Sequence, residues 1–276
     1  MTYKQALDNG IRLLEDSQIA DARLDAWYLL SYVSDMSKAM YFLKQTEEMD
    51  ESSYNRYCDL LQKRASHTPL QHLTGEQDFM GLTFRVNEHV LVPRQDTETL
   101  VEEALKVAPK GGHILDLCTG SGCVIISLVA LGDELTGMGI DISDEALEVA
   151  KDNGERLVDS RVEFAKSDLW DEVSGRFHMI VSNPPYIRSS VIEELEPEVR
   201  DHEPRIALDG TEDGLLFYRE ITSKVPEFLK EQGWLLVEIG YDQGDDVAEL
   251  FTAAGFKDVA VVKDLAGNDR VVKGHL

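Results

Sequence analysis

Apolar residues recur every three to four positions through the first 70 residues, which is the period of an amphipathic helix. Three such stretches cover residues 6–14, 24–33 and 52–65. Asp21 precedes the second stretch and is a suitable N-cap residue, because its carboxylate can accept from the free N–H groups of a first turn. The pattern predicts a small helical bundle over residues 1–70.

The pattern changes to alternation within residues 71–92. Leu82, Phe84 and Val86 alternate with polar residues, as they do in a strand with one buried face. Glycines separate the short runs, and Pro93 ends the stretch. We predict a β-hairpin linker over residues 71–92.

A helical pattern follows from Thr97 to Val107, with Thr97 as its predicted N-cap. From residue 111 onward, short apolar runs alternate with amphipathic helical stretches. The predicted strands are HILDLC, GMGID, VEFAKSD, FHMIVSN, WLLVEIG, DVAVVKD and RVVKG. This alternation is typical of a parallel sheet with helices on both faces. We therefore predict an α/β domain over residues 93–276.

The charge of the chain is strongly acidic and limits its partners. The chain has 27 lysines and arginines against 52 aspartates and glutamates, a net charge of −25 over 276 residues. A protein that binds nucleic acid through its phosphates needs a basic face, and no Lys/Arg cluster occurs in the sequence. We expect no direct contact with nucleic acid.

Cysteines and histidines are sparse. The three cysteines lack CxxC spacing and the seven histidines form no pair with metal-ligand spacing, so we expect neither a disulfide framework nor a metal site. No apolar run reaches the ~18 residues needed to cross a bilayer, and the first residues lack the apolar core of a signal peptide. We predict a cytoplasmic monomer with no membrane contact.

A glycine turn follows the first strand of the α/β region. Residues 114–122, ILDLCTGSG, combine a buried strand with a turn, and a helix begins directly afterwards. Gly120 and Gly122 let the backbone turn tightly and approach a ligand, and the helix N-terminus offers free N–H groups. The next strand ends at Asp141, whose carboxylate can accept from both hydroxyls of a ribose. These residues predict a site for a nucleoside-bearing cofactor.

Glycine spacing and one carboxylate distinguish between cofactors. A dinucleotide site usually has a third glycine, but Ile125 stands at that position. Asp116, two residues before the turn, would disfavour a pyrophosphate and favour a cationic ligand. S-adenosylmethionine carries a sulfonium and an ammonium group and fits better. The end of the third strand, at Asp168, Leu169 and Trp170, would then contact the adenine ring.

The stretch VSNPPYI, residues 181–187, follows the fourth strand at the same edge of the sheet. Pro184 biases Asn183 toward an extended backbone, and the paired prolines make a stiff exit. The Asn183 side-chain oxygen and the Pro184 carbonyl can each accept one hydrogen bond. Two acceptors would hold a planar NH2 group with its nitrogen toward the cofactor, and Tyr186 can pack flat on the group that carries it.

Such an arrangement suits methyl transfer to a planar amide or aromatic amine. The lone pair of that nitrogen is delocalised, and hydrogen bonds accepted from both N–H groups return electron density to it. These bonds strengthen as positive charge develops in the transition state, which is when they raise the rate. No strong base is required, because the methylated nitrogen is acidic and loses its proton afterwards.

These motifs resemble class I S-adenosylmethionine-dependent methyltransferases that act on an NH2 group. From about Pro69 to the C-terminus, the chain is similar to the bacterial release-factor glutamine methyltransferases. The likeness rests on PLQHLTGEQDFMGLTFRVNEHVLVPRQDTETLVE, HEPRIALDGTEDGLLFYREI, GWLLVEIGYDQG and GNDRVV. It implies an α/β fold with a Rossmann-like, mostly parallel seven-stranded sheet.

The resemblance also implies the substrate and the site residues. The substrate would be the glutamine in the Gly-Gly-Gln loop of peptide chain release factors, and the products would be N5-methylglutamine and S-adenosylhomocysteine. Asn183, Pro184 and Tyr186 would be catalytic, and with Pro185 they would hold the glutamine. The cofactor-binding residues would be Asp116, Cys118, Thr119, Gly120, Ser121, Gly122, Asp141, Ile142, Asp168, Leu169, Trp170 and Asn183. Cys118 stands where the family usually has glycine, so we expect a negative φ there.

Other functions share some of these features. An adenine-N6 methyltransferase on DNA or RNA uses the same Asn-Pro-Pro-Tyr logic, but a flipped base needs a basic cleft to hold its strand. A catalytically silent adaptor would bind the cofactor alone, and the intact motif argues against it. The N-terminal helices either stabilise the enzyme or recognise its substrate, and we favour substrate recognition. The acidic residues within 193–203 are either a solvated face or a docking surface for a basic partner.

Overall fold

The computed structural model describes residues 1–276 and divides into two compact units. The smaller unit comprises Met1–Gly75 and Glu196–His202, and the larger unit comprises Glu76–Leu195 and Glu203–Leu276. In chain order the elements are α1 (Tyr3–Asp16), α2 (Ala22–Ser34), α3 (Lys38–Lys44), α4 (Glu51–Ala65), α5 (Leu70–Thr74), β1 (Glu76–Phe79), β2 (Leu82–Arg85), α6 (Glu98–Val107), β3 (His113–Leu117), α7 (Cys123–Leu131), β4 (Thr136–Asp141), α8 (Asp144–Leu157), β5 (Val162–Lys166), β6 (Phe177–Ser182), α9 (Ser189–Ile192), α10 (Pro197–Arg200), α11 (Leu216–Phe228), β7 (Leu229–Glu238), α12 (Gly244–Ala253), β8 (Lys257–Lys263) and β9 (Asp269–His275).

The smaller unit is helical and packs around an apolar core. Leu14, Leu29 and Leu30 are fully buried there, and the Tyr57 hydroxyl donates to the Ala26 carbonyl at 3.0 Å. The helices α1, α2 and α4 match the three predicted stretches, whereas the short helices α3 and α5 were not predicted. Asp21 lies at the N-cap of α2, but its side chain makes no capping hydrogen bond, so that predicted cap was wrong.

A buried ion pair joins helices of the smaller unit. The Arg64 Nε on α4 donates to the Asp25 Oδ2 on α2 at 2.7 Å, and both side chains are buried. Arg64 also pairs with Glu198, so the guanidinium bonds the short segment Glu196–His202 as well. Burial raises the pKa of Asp25, and Arg64 opposes that rise. The segment is thus bonded to the helices although it lies about 120 residues later in the chain.

The larger unit contains a seven-stranded sheet in the order β5-β4-β3-β6-β7-β9-β8. The pairs β3–β4, β4–β5, β3–β6 and β6–β7 are parallel, and β9 runs antiparallel to β7 and β8. Two apolar cores cover the opposite faces of the sheet, as expected for strands that read as continuous apolar runs. The predicted mostly parallel, seven-stranded α/β fold is confirmed.

The hairpin β1–β2 lies in the larger unit and is bonded to α8. Phe79 and Phe84 bury their rings in the core beneath it. The Asn153 side chain on α8 accepts from the Arg85 N–H at 2.8 Å and donates to the Arg85 carbonyl at 3.0 Å. Asn153 also donates to the Ser121 carbonyl at 3.0 Å, so the same amide contacts the glycine turn. No helix of the structure is both long enough and apolar enough to cross a bilayer.

Candidate active site

The order of the strands places a crevice at the carboxyl ends of β3 and β6. From β3 the chain proceeds outward to β4 and β5, and then returns to form β6 on the opposite side of β3. Ligands of open α/β sheets bind where the strand order reverses in this way. The glycine turn follows β3, and the motif NPPY follows β6. The Ser182 hydroxyl donates to the Leu117 carbonyl at 2.8 Å and joins the two strand ends.

A cavity of about 550 Å³ opens at this point. Its volume lies within the ~300–1,000 Å³ usual for sites of small ligands. The predicted cofactor residues that line the cavity are Asp116, Cys118, Thr119, Gly120, Ser121, Asp141, Ile142, Asp168, Leu169, Trp170 and Asn183. Pro185 lines it too, whereas Gly122, Pro184 and Tyr186 are not among the lining residues. The structure therefore brings both predicted motifs to one cavity.

The backbone of the glycine turn is left-handed at three positions. Gly120 and Gly122 have φ of 54° and 79°, and Cys118 has φ of 58°. The negative φ expected for Cys118 was therefore wrong. The turn at Cys118 lets the Thr119 N–H donate to the Ile140 carbonyl at the end of β4, at 2.9 Å. A cysteine at this φ carries backbone strain that a glycine would not.

Asp141 is held in place by the backbone on both sides. The Gly120 N–H donates to its Oδ2 at 2.9 Å, and the Ser143 N–H donates to its Oδ1 at 3.0 Å. Burial raises the pKa of Asp141, and these N–H donors oppose the rise. The Ile142 N–H also acts on this carboxylate, so at least one of its four lone pairs remains for a ligand. The carboxylate can therefore accept from a ribose hydroxyl.

Asp116 is a buried carboxyl on the cavity wall. The Thr119 hydroxyl donates to its Oδ2 at 2.6 Å. Burial raises the pKa of Asp116 to about 7, and the other groups that act on it are Thr119, the Ile125 N–H and Asp141. None of these groups is cationic. A cationic ligand beside Asp116 would therefore supply the charge that favours the carboxylate.

Trp170 lines the cavity with only a small part of its side chain. Its ring stacks on Phe228 with centroids 4.6 Å apart, and its indole N–H donates to the Glu220 carbonyl at 3.2 Å. The side chain is 5% exposed, so most of the ring packs in the core. Ile142 is 43% exposed and lines the cavity from the adjacent strand end. An adenine ring at this wall would have the exposed Ile142 side chain as its more accessible apolar contact.

The Asn183 side chain forms a hydrogen bond with the buried side chain of Thr97. The Asn183 Nδ2 donates to the Thr97 Oγ1 at 3.3 Å. Thr97 was predicted as a helix cap, and it does precede α6, but its side chain makes no capping bond. Its backbone is helical already, with φ of −65° and ψ of −20°, which is not the extended conformation of an N-cap. The hydroxyl instead contacts the motif 86 residues later.

The exit of the motif is held by two further side chains. The Tyr186 hydroxyl donates to the Glu238 Oε1 at 3.2 Å. The Gln243 Nε2 donates to the Tyr186 carbonyl at 3.1 Å, and the Gln243 Oε1 accepts from the Gly240 N–H at 2.9 Å. A Cβ on Gly210 would lie 2.7 Å from the Tyr186 Cα, so only glycine permits this close approach. These contacts restrain the loop after Asn183.

Comparisons with known proteins show the family of the chain. Residues 5–75 match the family model of the PrmC N-terminal domain, and residues 95–195 match that of the methyltransferase small domain. The release factor glutamine methyltransferase of Geobacter sulfurreducens is 38% identical over 276 residues, covering 100% of this chain and 97% of that protein. The one from Agrobacterium fabrum is 41% identical, covering 94% of this chain and 92% of its own.

The chain belongs to the release factor glutamine methyltransferase family.

A solved methyltransferase structure from Pyrococcus furiosus shares the fold. It superimposes with a TM-score of 0.54 at 18% identity, covering 80% of this chain and 98% of that chain. As a member of a methyltransferase family with this fold, the chain uses S-adenosylmethionine as methyl donor. The cavity fits that molecule, because Asp141 retains a free lone pair for a ribose hydroxyl and Asp116 is a buried carboxyl with no cation of the chain beside it.

Several residues of this family member's site were not predicted from the sequence. Thr97, Glu238 and Gln243 contact the motif, and Arg270 acts on the Glu238 carboxyl. Glu238 and Gln243 lie in GWLLVEIGYDQG, where a charged residue ends an apolar strand. That signal marks an unusual buried carboxylate, but the sequence does not show what it faces.

The acidic stretch after the motif is not a uniform surface. Glu203, which was grouped with the solvated or docking residues, is 6% exposed. Its two carboxylate oxygens accept from the Arg94 Nη2 at 2.8 and 2.9 Å, and Oε1 also accepts from the Val92 N–H at 3.3 Å. Because Arg94 and Pro204 line the cavity, this ion pair shapes its wall. The expectation of a solvated or docking role was therefore wrong for Glu203.

Proposed function

We propose that this protein transfers a methyl group from S-adenosylmethionine to the side-chain nitrogen N5 of the glutamine in the Gly-Gly-Gln loop of peptide chain release factors. The observation that supports it most is the meeting of Asn183 and the glycine turn at one cavity, in a chain about 40% identical to release factor glutamine methyltransferases. The donor supplies an electrophilic methyl group when bound.

The chain's own residues would orient the acceptor amide. The Asn183 side-chain oxygen and the Pro184 carbonyl would accept from the two N–H groups of the glutamine carboxamide. Such bonds strengthen as the nitrogen becomes positive, so they favour the transition state over the ground state. The stiff Pro184-Pro185 exit and the bonds to Tyr186 would hold both acceptors in register with the methyl group, where alignment alone can contribute several kcal/mol (up to ~7–11). Tyr186 would cover one face of the carboxamide.

The net charge favours a protein substrate over a nucleic acid. A methyltransferase that flips an adenine out of a strand needs basic groups along the strand. This chain carries −25 overall. The proposal therefore includes no direct contact with nucleic acid. Independently of the charge, it also includes no membrane contact and a monomeric enzyme that works in the cytoplasm, where translation ends.

The smaller unit would recognise the release factor. Its helices α2 and α3 expose large apolar side chains, namely Leu24, Tyr28, Tyr32, Met40, Phe42 and Leu43. Isolated apolar side chains are common on protein surfaces, but six exposed ones on two consecutive helices favour a surface that binds a protein partner. Substrate recognition by this unit is part of the proposal.

The function can be tested with purified release factor and donor labelled in its methyl group. We expect one methyl group per release factor, located by peptide mass mapping on the glutamine of the Gly-Gly-Gln loop. Asn183→Ala should lower the rate of labelling about 100-fold or more, because it removes one of the two acceptors that stabilise the transition state. Its melting temperature should stay as in the wild type. A release factor whose loop glutamine is replaced is the matched substrate control. Label on DNA, or no label on any release factor, would contradict the proposal.

A further inference from the structure

Two buried side chains contact the NPPY motif from inside the larger unit, and one of them, Thr97, also lines the cavity. Thr97 and Glu238 are each 2% exposed. The Thr97 Oγ1 lies 3.3 Å from the Asn183 Nδ2, and the Glu238 Oε1 lies 3.2 Å from the Tyr186 hydroxyl. Polar groups this deeply buried are costly unless they are hydrogen-bonded, so their placement behind the motif calls for a function.

The Asn183 carboxamide has two ends of nearly equal size and opposite hydrogen-bonding character. Its oxygen accepts and its nitrogen donates. The NH2 group of a substrate needs an acceptor, so only one of the two orientations assists the reaction. A threonine hydroxyl alone does not select between them, because it can donate to the oxygen or accept from the nitrogen.

Glu238 determines the direction of the hydrogen bond between Thr97 and Asn183. A carboxylate only accepts hydrogen bonds, and the Tyr186 hydroxyl already donates to its Oε1. Oε2 is buried and has no partner in hydrogen-bond geometry, so it is in need of a donor. The Thr97 hydroxyl is the neighbouring donor, and it lowers the pKa of the Glu238 carboxyl. With its proton directed to Glu238, Thr97 can only accept from Asn183.

We propose that Thr97 and Glu238 are positioning residues, which hold the Asn183 carboxamide with its nitrogen inward and its oxygen toward the acceptor amide of the substrate. This inference rests on the proposed amide methylation and adds two residues to it. Neither residue touches the reacting atoms. Both act through Asn183, and Glu238 also holds the ring of Tyr186.

The orientation depends on the ionisation of Glu238. Burial raises its pKa to about 7, while Thr97, Arg270 and Tyr186 lower it and Asp96 raises it. The Tyr218 hydroxyl donates to the Glu238 carbonyl at 2.9 Å, and the Cys123 thiol also lies within electrostatic range of the Glu238 carboxyl. A protonated Glu238 can donate to Thr97 and turn the Thr97 proton toward Asn183. The rate should therefore fall as the pH decreases through about 7.

Variants of Thr97 separate positioning from packing. Thr97→Val keeps the shape and removes the hydroxyl, and we expect kcat for release factor methylation to fall about 10-fold or more, as for the loss of one hydrogen bond of about 1.4 kcal/mol. The affinity for the donor, measured by calorimetry, should not change. Thr97→Ser restores the hydroxyl and should restore most of kcat. The control is Thr222→Val, at a similarly buried threonine whose hydroxyl donates to the Tyr218 carbonyl, and it should leave kcat unchanged.

A variant of Glu238 tests the dependence on ionisation. Glu238→Gln keeps the shape but offers one donor and one acceptor, so we expect a partial loss of kcat and a weaker fall in rate at acid pH than in the wild-type enzyme. Asp116 also has a pKa of about 7, so its ionisation contributes to the pH profile of both proteins. The difference between the profiles of the variant and the wild type therefore reports the contribution of Glu238.

The outcomes distinguish this inference from the proposed function. A wild-type enzyme that methylates no release factor overturns the function itself. An active wild type with normal kcat in folded Thr97→Val, or equal damage in Thr97→Ser and Thr97→Val, overturns the positioning role. If Thr97→Val does not fold, Glu238→Gln decides, since an unchanged kcat and pH profile in that variant contradict the inference.

Discussion

At the scale of single residues, the site depends on a few backbone and side-chain orientations that local sequence does not determine. The motif residues Asn183 to Tyr186 and Asp141, which we predict to bind a ribose, were singled out from their places at strand ends. Thr97 and Glu238 could not be singled out in this way, because their partners lie 86 and 52 residues away in the chain. Thr97 looked like a helix cap because threonine before a helical pattern usually is one.

Cys118 offers a test of backbone strain in the glycine turn. Its φ is 58°, which costs a residue with a Cβ about 1–2 kcal/mol relative to glycine. Cys118→Gly and Cys118→Ala both remove the thiol, but only alanine keeps the strain. We expect Cys118→Gly to have the higher free energy of unfolding, by about 1 kcal/mol after the greater freedom of glycine in the unfolded chain is counted. Urea denaturation measures the difference, and equal stabilities would argue against strain at this position.

Glu238 should also make the stability of the free enzyme depend on pH. Burial raises its folded pKa to about 7 from the model-peptide value of 4.5. The folded state therefore binds more protons between these pH values, and its stability falls as the pH rises from about 4.5 to about 7. The contribution is at most ~3.5 kcal/mol, at about 1.4 kcal/mol per pKa unit.

The measurement compares wild type with Glu238→Gln by urea denaturation from pH 4.5 to pH 8. Both proteins share every other titrating group, so the difference between their curves reports Glu238. We expect the free energy of unfolding of the variant to fall less over this range. Parallel curves would show that Glu238 ionises as easily in the folded protein as in the unfolded one.

At the scale of elements, the long apolar strands and amphipathic helices of the sheet were predictable because their periodicity extends over many residues. The order of the strands places β3 beside β6, and this adjacency turns two separate motifs into one site. The short helices α3 and α5 were missed, since seven and five residues are too few for a period to be recognised. The position of Glu203 was missed as well, because a run of acidic residues does not show which member pairs with Arg94.

The ion pair between α2 and α4 should be essential for the stability of the smaller unit. Arg64→Met leaves the Asp25 carboxyl buried without its partner, and breaking a buried pair in this way costs about 3–5 kcal/mol. Glu198→Gln weakens only a partly exposed contact of the same guanidinium and should cost less than ~1 kcal/mol.

The loss can be followed by thermal denaturation monitored by circular dichroism. Asp25→Leu combined with Arg64→Met is the matched control, because a pair of apolar residues removes both charges together and should recover most of the stability. A single Arg64→Met variant as stable as the wild type would show that Asp25 is readily accommodated as a neutral acid.

At the scale of the whole molecule, the family resemblance and the acidic composition both favoured an enzyme that acts on a protein rather than on a nucleic acid. The division of labour between the two units remains a prediction. Phe42 and Leu43 on α3 are 63% and 76% exposed and should contact the release factor. The double variant Phe42→Ser, Leu43→Ser should raise the KM for the release factor about 10-fold. Two apolar side chains that become buried on binding can contribute more than about 1.4 kcal/mol to the binding free energy.

The donor affinity and the melting temperature of this double variant should stay as in the wild type. Leu265→Ser is the matched control, because Leu265 is 99% exposed on the larger unit and lies in the turn between β8 and β9. It should leave the KM unchanged. An unaltered KM in the double variant would remove α3 from the substrate-binding surface.

The segment Glu196–His202 has a consequence for protein engineering. Because these seven residues belong with the N-terminal helices, the chain passes between the units three times, after Gly75, after Leu195 and after His202. A chimera that exchanged only the first 75 residues with those of a relative would pair the new helices with the old segment. Glu198 would then face the relative's residue at position 64 in place of its own partner, Arg64. Swapping the helical region between relatives therefore requires two coordinated grafts, and natural recombination at a single breakpoint faces the same obstacle.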